Sequence, residues 1–369
     1  MRGIAILAVI VVHSNLSPGA ADTWNLSGFL GLGMYGVELF FFISGFLMSG
    51  LYDQADPRGF SRNYWRRRLA RILPLWAIFG LLSTIGWLLA KPYLKGYGAY
   101  TTLANRFAED GRIVDHPLAG VVLTLLFLGW VSPVIWNSTI AGGWSIQSEM
   151  FHYLAFWAFR GRQLSKWLVA LAVAGAVFVA LDVFDLVDPA GYGAVDALYR
   201  TKVFSTAIFF VAGIAFQRLI GRERKLILVD LASVQSLVSL AVVATCAIYV
   251  SLPFGRVGEA ILFVFAAVLV ASVSREGSWP TKFLQLLGKY SYFLYFFHFF
   301  VLLAAQRFFL EGVADQLASW GLIQIAVQII ILLISISLVL IVGLPVAFLS
   351  WRIIERPFTA WARRDRASR

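Results

Sequence analysis

Eleven apolar runs, with arginines and lysines gathered in blocks between them, constrain this chain more than any other feature. The runs lie at 3–16, 34–52, 72–90, 119–136, 144–159, 166–184, 202–217, 230–252, 258–273, 290–309 and 322–350. A helix crosses the roughly 30 Å hydrocarbon core of a bilayer with about 20 mostly apolar residues. The 369 residues therefore hold about ten such helices joined by short loops. The composition agrees: 60% of residues are hydrophobic, 14% are charged, and the mean hydropathy is +0.78. A soluble domain is about half apolar and about a quarter charged. This excludes a soluble enzyme, a disordered chain and a nucleic-acid module. The lone cysteine, Cys246, excludes an intrachain disulfide and a cysteine-rich metal site.

The net charge of +11 would suit a nucleic-acid binder, but the positions of the charges point elsewhere. All but eight of the 31 Lys and Arg lie before the first run (Arg2), in blocks that follow the second, fifth, seventh and ninth runs, or in the tail after the last run. The exceptions are Lys91, Lys95, Arg106, Arg112, Arg200, Lys202, Arg256 and Arg307. Basic residues collect on the cytoplasmic side of membrane proteins, so the blocks set the orientation. The gap after the third run is then external and the gap after the fifth internal, which allows one net crossing where two runs are present. The segment 119–136, which leads into a stretch rich in Gly, Trp, Ser and Asn (Gly129 to Trp144), is expected to enter and leave on one side. Irregular backbone at membrane depth survives where protein or water shields it, so such a segment would line a cavity. The expected fold is an all-α integral membrane domain over 1–369. It has about ten transmembrane helices, one re-entrant segment, both termini cytoplasmic and no appended soluble domain. The first run also reads as a secretory signal, with Arg2, an apolar Ile4–Val12 and a small-residue stretch at Pro18–Ala21. Removing it would leave nine crossings.

Ionisable residues inside the runs are costly and mark candidate function. Among them are His13, Glu38, Glu149, His152 and His298. Arg2 and His13 are eleven residues apart, which on a helix brings them to one face, separated by about 16 Å. A diphosphate-headed molecule with a long arm would fit that spacing. Arg66, Arg67, Arg68 and Arg71 precede the third run. Such a cluster orients a span and meets lipid headgroups, and arginine also binds phosphate through a planar fork of donors. Trp144 and Ser145 open the fifth run, with Glu149 about one and a half turns in. A carboxylate there would orient a histidine, hold a substrate hydroxyl or carry a proton. His298 follows Tyr295 by three positions and shares its helix face. Each histidine also has a plain reading as a hydrogen-bonded packing residue. No nucleotide loop or zinc-binding His-Glu-x-x-His occurs.

In this order the segments resemble the acyltransferase-3 family of bacterial membrane O-acyltransferases, from Arg2 to about Phe358. Arg2 to His13 resembles the opening Arg–x10–His motif. Gly36-Val37-Glu38 through Phe46 resembles the second-span signature. Arg68-x-x-Arg71 with Pro74 resembles the cytoplasmic Arg-x-x-Arg. Trp144-Ser145 through Glu149 to Tyr153, then Ser291-Tyr292 through Tyr295 to His298, and Glu355-Arg356-Pro357 complete the set.

The resemblance implies a multi-pass protein of the bacterial inner membrane that uses acyl-CoA, acetyl-CoA in the first instance, and no metal. Arg2, Arg68 and Arg71 would hold the donor's phosphates. His13 would act either as a general base or as a covalent acyl carrier, assisted by Glu149. Glu38, Trp144, Ser145, Tyr295 and His298 would support the substrates. The acceptor would be a carbohydrate on the periplasmic side, with membrane lipid around the chain and no nucleic acid as partner. The rival class is a proton-coupled glycan exporter, with His13, Glu38, Glu149 and His298 as the relay. A non-catalytic membrane subunit is the third. The arginine cluster and the Arg2–His13 spacing favour the enzyme, since an exporter needs no cytoplasmic phosphate clamp.

Overall fold

The computed structural model describes residues 1–14, 32–53, 60–90, 117–129, 140, 142–159, 203–222 and 278–362, with isolated positions between 166 and 267. Among these, all regular structure is helical. The helices are α1 (Arg2–Ser14), α2 (Gly36–Asp53), α3 (Phe60–Ala90), α4 (Pro117–Leu125), α5 (Gly143–Phe159), α6 (Val203–Arg222), α7 (Trp279–Ala305), α8 (Glu311–Ser319), α9 (Gln324–Ser350) and α10 (Arg356–Trp361). Single π-helical turns, Gln306–Leu310 and Trp351–Glu355, join α7 to α8 and α9 to α10. Eight of the eleven apolar runs thus contain a described helix. The runs at 166–184, 230–252 and 258–273 lie outside the described residues apart from isolated positions.

Among the described residues, three stretches are long and apolar enough to cross a membrane: Tyr64–Ile85, Trp279–Ala305 and Ala326–Trp361. Large apolar side chains point outward on two of them: Leu81, Ile341 and Ile353 are 60–69% exposed, and apolar exposure of this kind suits lipid, not water, as solvent. The chain is a membrane protein. Two helices begin earlier than the apolar pattern suggests. The arginines before the third run lie on the first turns of α3, and Lys282 and Lys289 lie on α7. Arginine and lysine are good helix formers, so the helix continues beyond its apolar stretch. The described part of 119–136 behaves differently. Helix α4 has nine residues, about 13 Å, which by itself is too short to cross. It stops where Phe127 takes a positive φ of 60°. A reporter fused at Ser138 is expected to read periplasmic and one at Arg162 cytoplasmic. Both positions lie outside the described residues, and a cytoplasmic Ser138 would overturn the re-entrant assignment.

The chain forms two compact units, each interleaved in sequence: 1–50 with 209–348, and 51–208 with 349–369. The first is held by close helix approaches. A β-carbon on Gly3 would fall 2.0 Å from the Leu284 carbonyl oxygen of α7, and one on Gly288 3.2 Å from the Gly3 nitrogen. Gly45 and Gly213 bring α2 and α6 together in the same way, each facing a backbone oxygen of the other helix about where its β-carbon would go. With little hydrophobic drive between helices in lipid, such small-residue contacts supply van der Waals attraction. Ala5, Ile6, Val9 and Ile10 of α1 and Leu287, Leu294 and Phe296 of α7 are buried in this unit. Gly3→Ala places a methyl group against backbone that has no free rotor to move. It is expected to cost about 1–3 kcal/mol, read as a lower melting temperature in detergent. An unchanged melting temperature would rule out the tight contact.

The second unit centres on fully buried Trp76 of α3. Its indole N–H donates to the Thr124 carbonyl at 3.1 Å, and its ring stacks on Phe127 at 5.1 Å. At the N-terminus of α5 the Ser145 hydroxyl donates to the Gly142 carbonyl at 3.1 Å.

Candidate active site

The first unit brings together two histidines that are far apart in sequence. Gly3 and Gly288 touch, and ten residues further along each helix the rings of His13 and His298 meet edge to face, 5.1 Å between centroids. Helices α1 and α7 therefore run parallel and in register. Arg2 and His13 both face α7, since the Arg2 β-carbon lies beside Gly288. The Phe299 ring contacts both imidazoles, at 4.5 Å from His13 and 4.2 Å from His298. Each imidazole binds its own helix through Nδ1: His13 to the Val9 carbonyl at 2.8 Å, His298 to the Leu294 carbonyl at 3.0 Å. A carbonyl oxygen only accepts, so in each neutral ring Nδ1 carries the proton and Nε2 the lone pair. His13 is half-buried, whereas His298 is fully buried and its Nε2 has no hydrogen-bond partner among the described residues. Tyr295 stands 6.1 Å from His298 and packs against Phe40 of α2. Glu38, two residues before Phe40, is buried near the start of α2.

The second unit holds the other predicted residues. Glu149 accepts a hydrogen bond from the Tyr153 hydroxyl one turn further along α5. The Arg68 guanidinium lies over the Tyr153 ring at 5.3 Å, and the Tyr64 hydroxyl donates to the Tyr153 carbonyl at 2.9 Å. Arg68 is buried, unlike most arginines at a span end. Arg71, one turn along α3, lies close enough for its charge to act on the buried Glu355 carboxyl. Arg66 donates to the Trp361 carbonyl at 2.6 Å and lies over the indole, which fastens α10 to α3. His152 bonds Thr206 Oγ1 at 3.0 Å, the packing role its position suggested. Trp144 lies on the first turn of α5 beside Ser145, whose hydroxyl serves the local turn.

The contact of His13 with His298 has no local signal in the sequence, because the two positions are 285 residues apart. In the sequence Tyr153 stands out only as part of a motif. Its separation of four from Glu149 puts the two on one helix face, and that spacing would have identified the pair.

The acyltransferase domain family matches residues 1–349. The chain belongs to this acyltransferase-3 family. It is similar to the acyltransferase MdmB of Streptomyces mycarofaciens, 29% identical over 187 residues, covering 48% of this chain and 43% of that protein. It is also similar to the peptidoglycan O-acetyltransferase OatA of Listeria monocytogenes, 22% identical over 321 residues, covering 81% of this chain and 48% of that protein. A Staphylococcus aureus (strain COL) relative is 37% identical over 89 residues, 23% of this chain and 13% of that relative. The chain thus spans less than half the length of these curated relatives. No solved structure matches it.

Proposed function

We propose that this protein is an O-acyltransferase of the bacterial inner membrane, crossing it several times. It would move an acyl group, acetyl in the first instance, from cytoplasmic acyl-CoA to a hydroxyl of an envelope or exported carbohydrate. The observation that carries this reading is the set tautomer of His13. Its Nδ1–H is engaged by the Val9 carbonyl, and its Nε2 lone pair is the reactive atom. Arg2 on the same face of α1, and Arg68 and Arg71 on α3, are the phosphate-binding candidates. Glu149 with Tyr153 is the candidate for holding the acceptor. The relatives' printed names, an acyltransferase and a peptidoglycan O-acetyltransferase, support acyl transfer and a glycan acceptor. The rival exporter has no use for such phosphate-binding arginines.

The test is mass analysis of acetylated envelope glycans in cells with and without the protein, paired with acetyl-CoA binding by the purified protein. Loss of glycan acetylation on deletion is expected. Unchanged glycans together with no acetyl-CoA binding would overturn the reading. Tyr153→Phe separates the two functions of that side chain, because it keeps the ring beneath Arg68 and removes the donor to Glu149. A hydrogen bond to a charged group contributes about 1.5–3 kcal/mol, so acetylation is expected to fall about tenfold. Donor affinity is expected to stay unchanged. A fall in donor affinity instead would assign Tyr153 to the arginine cluster.

A further inference from the structure

The geometry points to His298 as the base that takes the acceptor hydroxyl's proton, with His13 as the nucleophile that carries the acyl group. This rests on the acyl-transfer reading above and divides its chemistry between two residues. His13 has one reactive atom. With Nδ1–H committed to the Val9 carbonyl, an acyl group on Nε2 leaves that ring nothing with which to accept a proton. A second base is then required beside it, and His298 meets the requirement. Its ring lies edge to face with His13 at 5.1 Å. Its Nδ1–H is held by the Leu294 carbonyl, so its lone pair is at Nε2. It is fully buried, and Nε2 has no hydrogen-bond partner among the described residues. A buried acceptor left without a donor is unfavourable, and a packing role alone does not account for it. A lone pair held at a fixed position beside the nucleophile is what proton removal from a hydroxyl requires.

The steps balance. His13 Nε2 attacks the thioester carbonyl carbon. The C–S bond breaks, the thiolate leaves with the electron pair, and the acyl-imidazolium keeps its Nδ1 proton. The acceptor oxygen then attacks the acyl carbon while His298 Nε2 takes the hydroxyl proton. The C–Nε2 bond breaks and returns neutral His13. His298 releases the proton, which protonates the thiolate, so that ester and free thiol are the net products.

The test uses the full chain in lipid nanodiscs with acetyl-CoA radiolabelled on the acetyl group, scoring release of free thiol and label on the protein. Glycan acetylation is measured in cells at matched membrane levels. His298→Asn is the informative variant. Its amide nitrogen can still donate to the Leu294 carbonyl as Nδ1 does, but it cannot take a proton. The expected result is a preserved thiol burst and preserved label, with glycan acetylation lowered about a hundredfold or more. His13→Asn is expected to lose both. A His298→Asn protein that transfers at the wild-type rate would overturn the proposal and leave His298 as a packing residue. So would one that loses the burst as well while melting like wild type. Wild-type protein that acetylates glycan yet never becomes labelled would overturn the division of roles and leave the function standing. Wild-type protein that does neither would overturn the function itself. His298→Gln repeats the experiment with a different amide placement, and failure of both variants to accumulate in the membrane would assign His298 to the fold instead.

Discussion

Replacing His13 with alanine is expected to abolish acyl transfer while leaving a folded, membrane-inserted protein that still binds the donor. The expectation follows from what the ring touches. His13 is half-buried near the end of α1. Its polar contact is with a carbonyl of its own helix, and its ring packs on Phe299 and His298. The Val9 carbonyl is four residues back, so it belongs to the helix and keeps alternatives when the imidazole is removed. The stability cost is that of a small cavity beside Phe299, about 2–4 kcal/mol at most. The catalytic cost is of another order. General base catalysis alone contributes about 10²–10⁴-fold, and loss of a covalent nucleophile removes the route altogether. No cysteine or lysine among the described residues contacts this pair to substitute for it. The measurement is glycan acetylation per unit of membrane-inserted protein, alongside acetyl-CoA binding. Substantial acetylation by His13→Ala would end the enzymatic role of the pair and favour the exporter.

Much of this arrangement was legible in sequence, and the parts that were not share a cause. The apolar runs located eight described helices, because burial in lipid or in protein makes the same demand for apolar side chains along a helix. The charge blocks had the first and tenth runs entering from one side, and α1 and α7 do run parallel. The eleven-residue step from Arg2 to His13 placed both on one face, and both face α7. Helix starts were less legible. The arginines of α3 and the lysines of α7 resemble loop residues in a hydropathy profile yet propagate a helix well. Tertiary pairing was not legible at all. Gly3 and Gly288 look like ordinary apolar-run glycines until backbone is found against each, and only that contact sets the register in which His13 meets His298. The same holds for Arg68, which the sequence makes a surface charge and the structure buries over Tyr153.

Arg68→Ala and Arg71→Ala are expected each to weaken acyl-CoA binding by at least about tenfold, since a charge-assisted contact to phosphate contributes roughly 1.5–3 kcal/mol. Arginine-to-lysine changes should recover only part of it, because an ammonium lacks the planar fork. The two positions differ in what else they support, and that difference makes the prediction testable against a purely structural role. Arg68 lies on the Tyr153 ring, so Arg68→Ala also frees the side chain that donates to Glu149. It should therefore lower acetylation beyond its effect on donor affinity. Arg71 acts on the buried Glu355 carboxyl. Removing it takes a favourable charge away from that buried carboxyl, which is destabilising. Adding Glu355→Gln to Arg71→Ala removes the uncompensated charge and should restore the melting temperature of the single variant. It should not restore donor binding if Arg71 contacts phosphate. Binding measured by calorimetry and melting measured by fluorescence separate the two contributions. Recovery of both in the double variant would make Arg71 a structural counter-ion, and unchanged donor affinity in both alanine variants would reduce the cluster to an orientation signal.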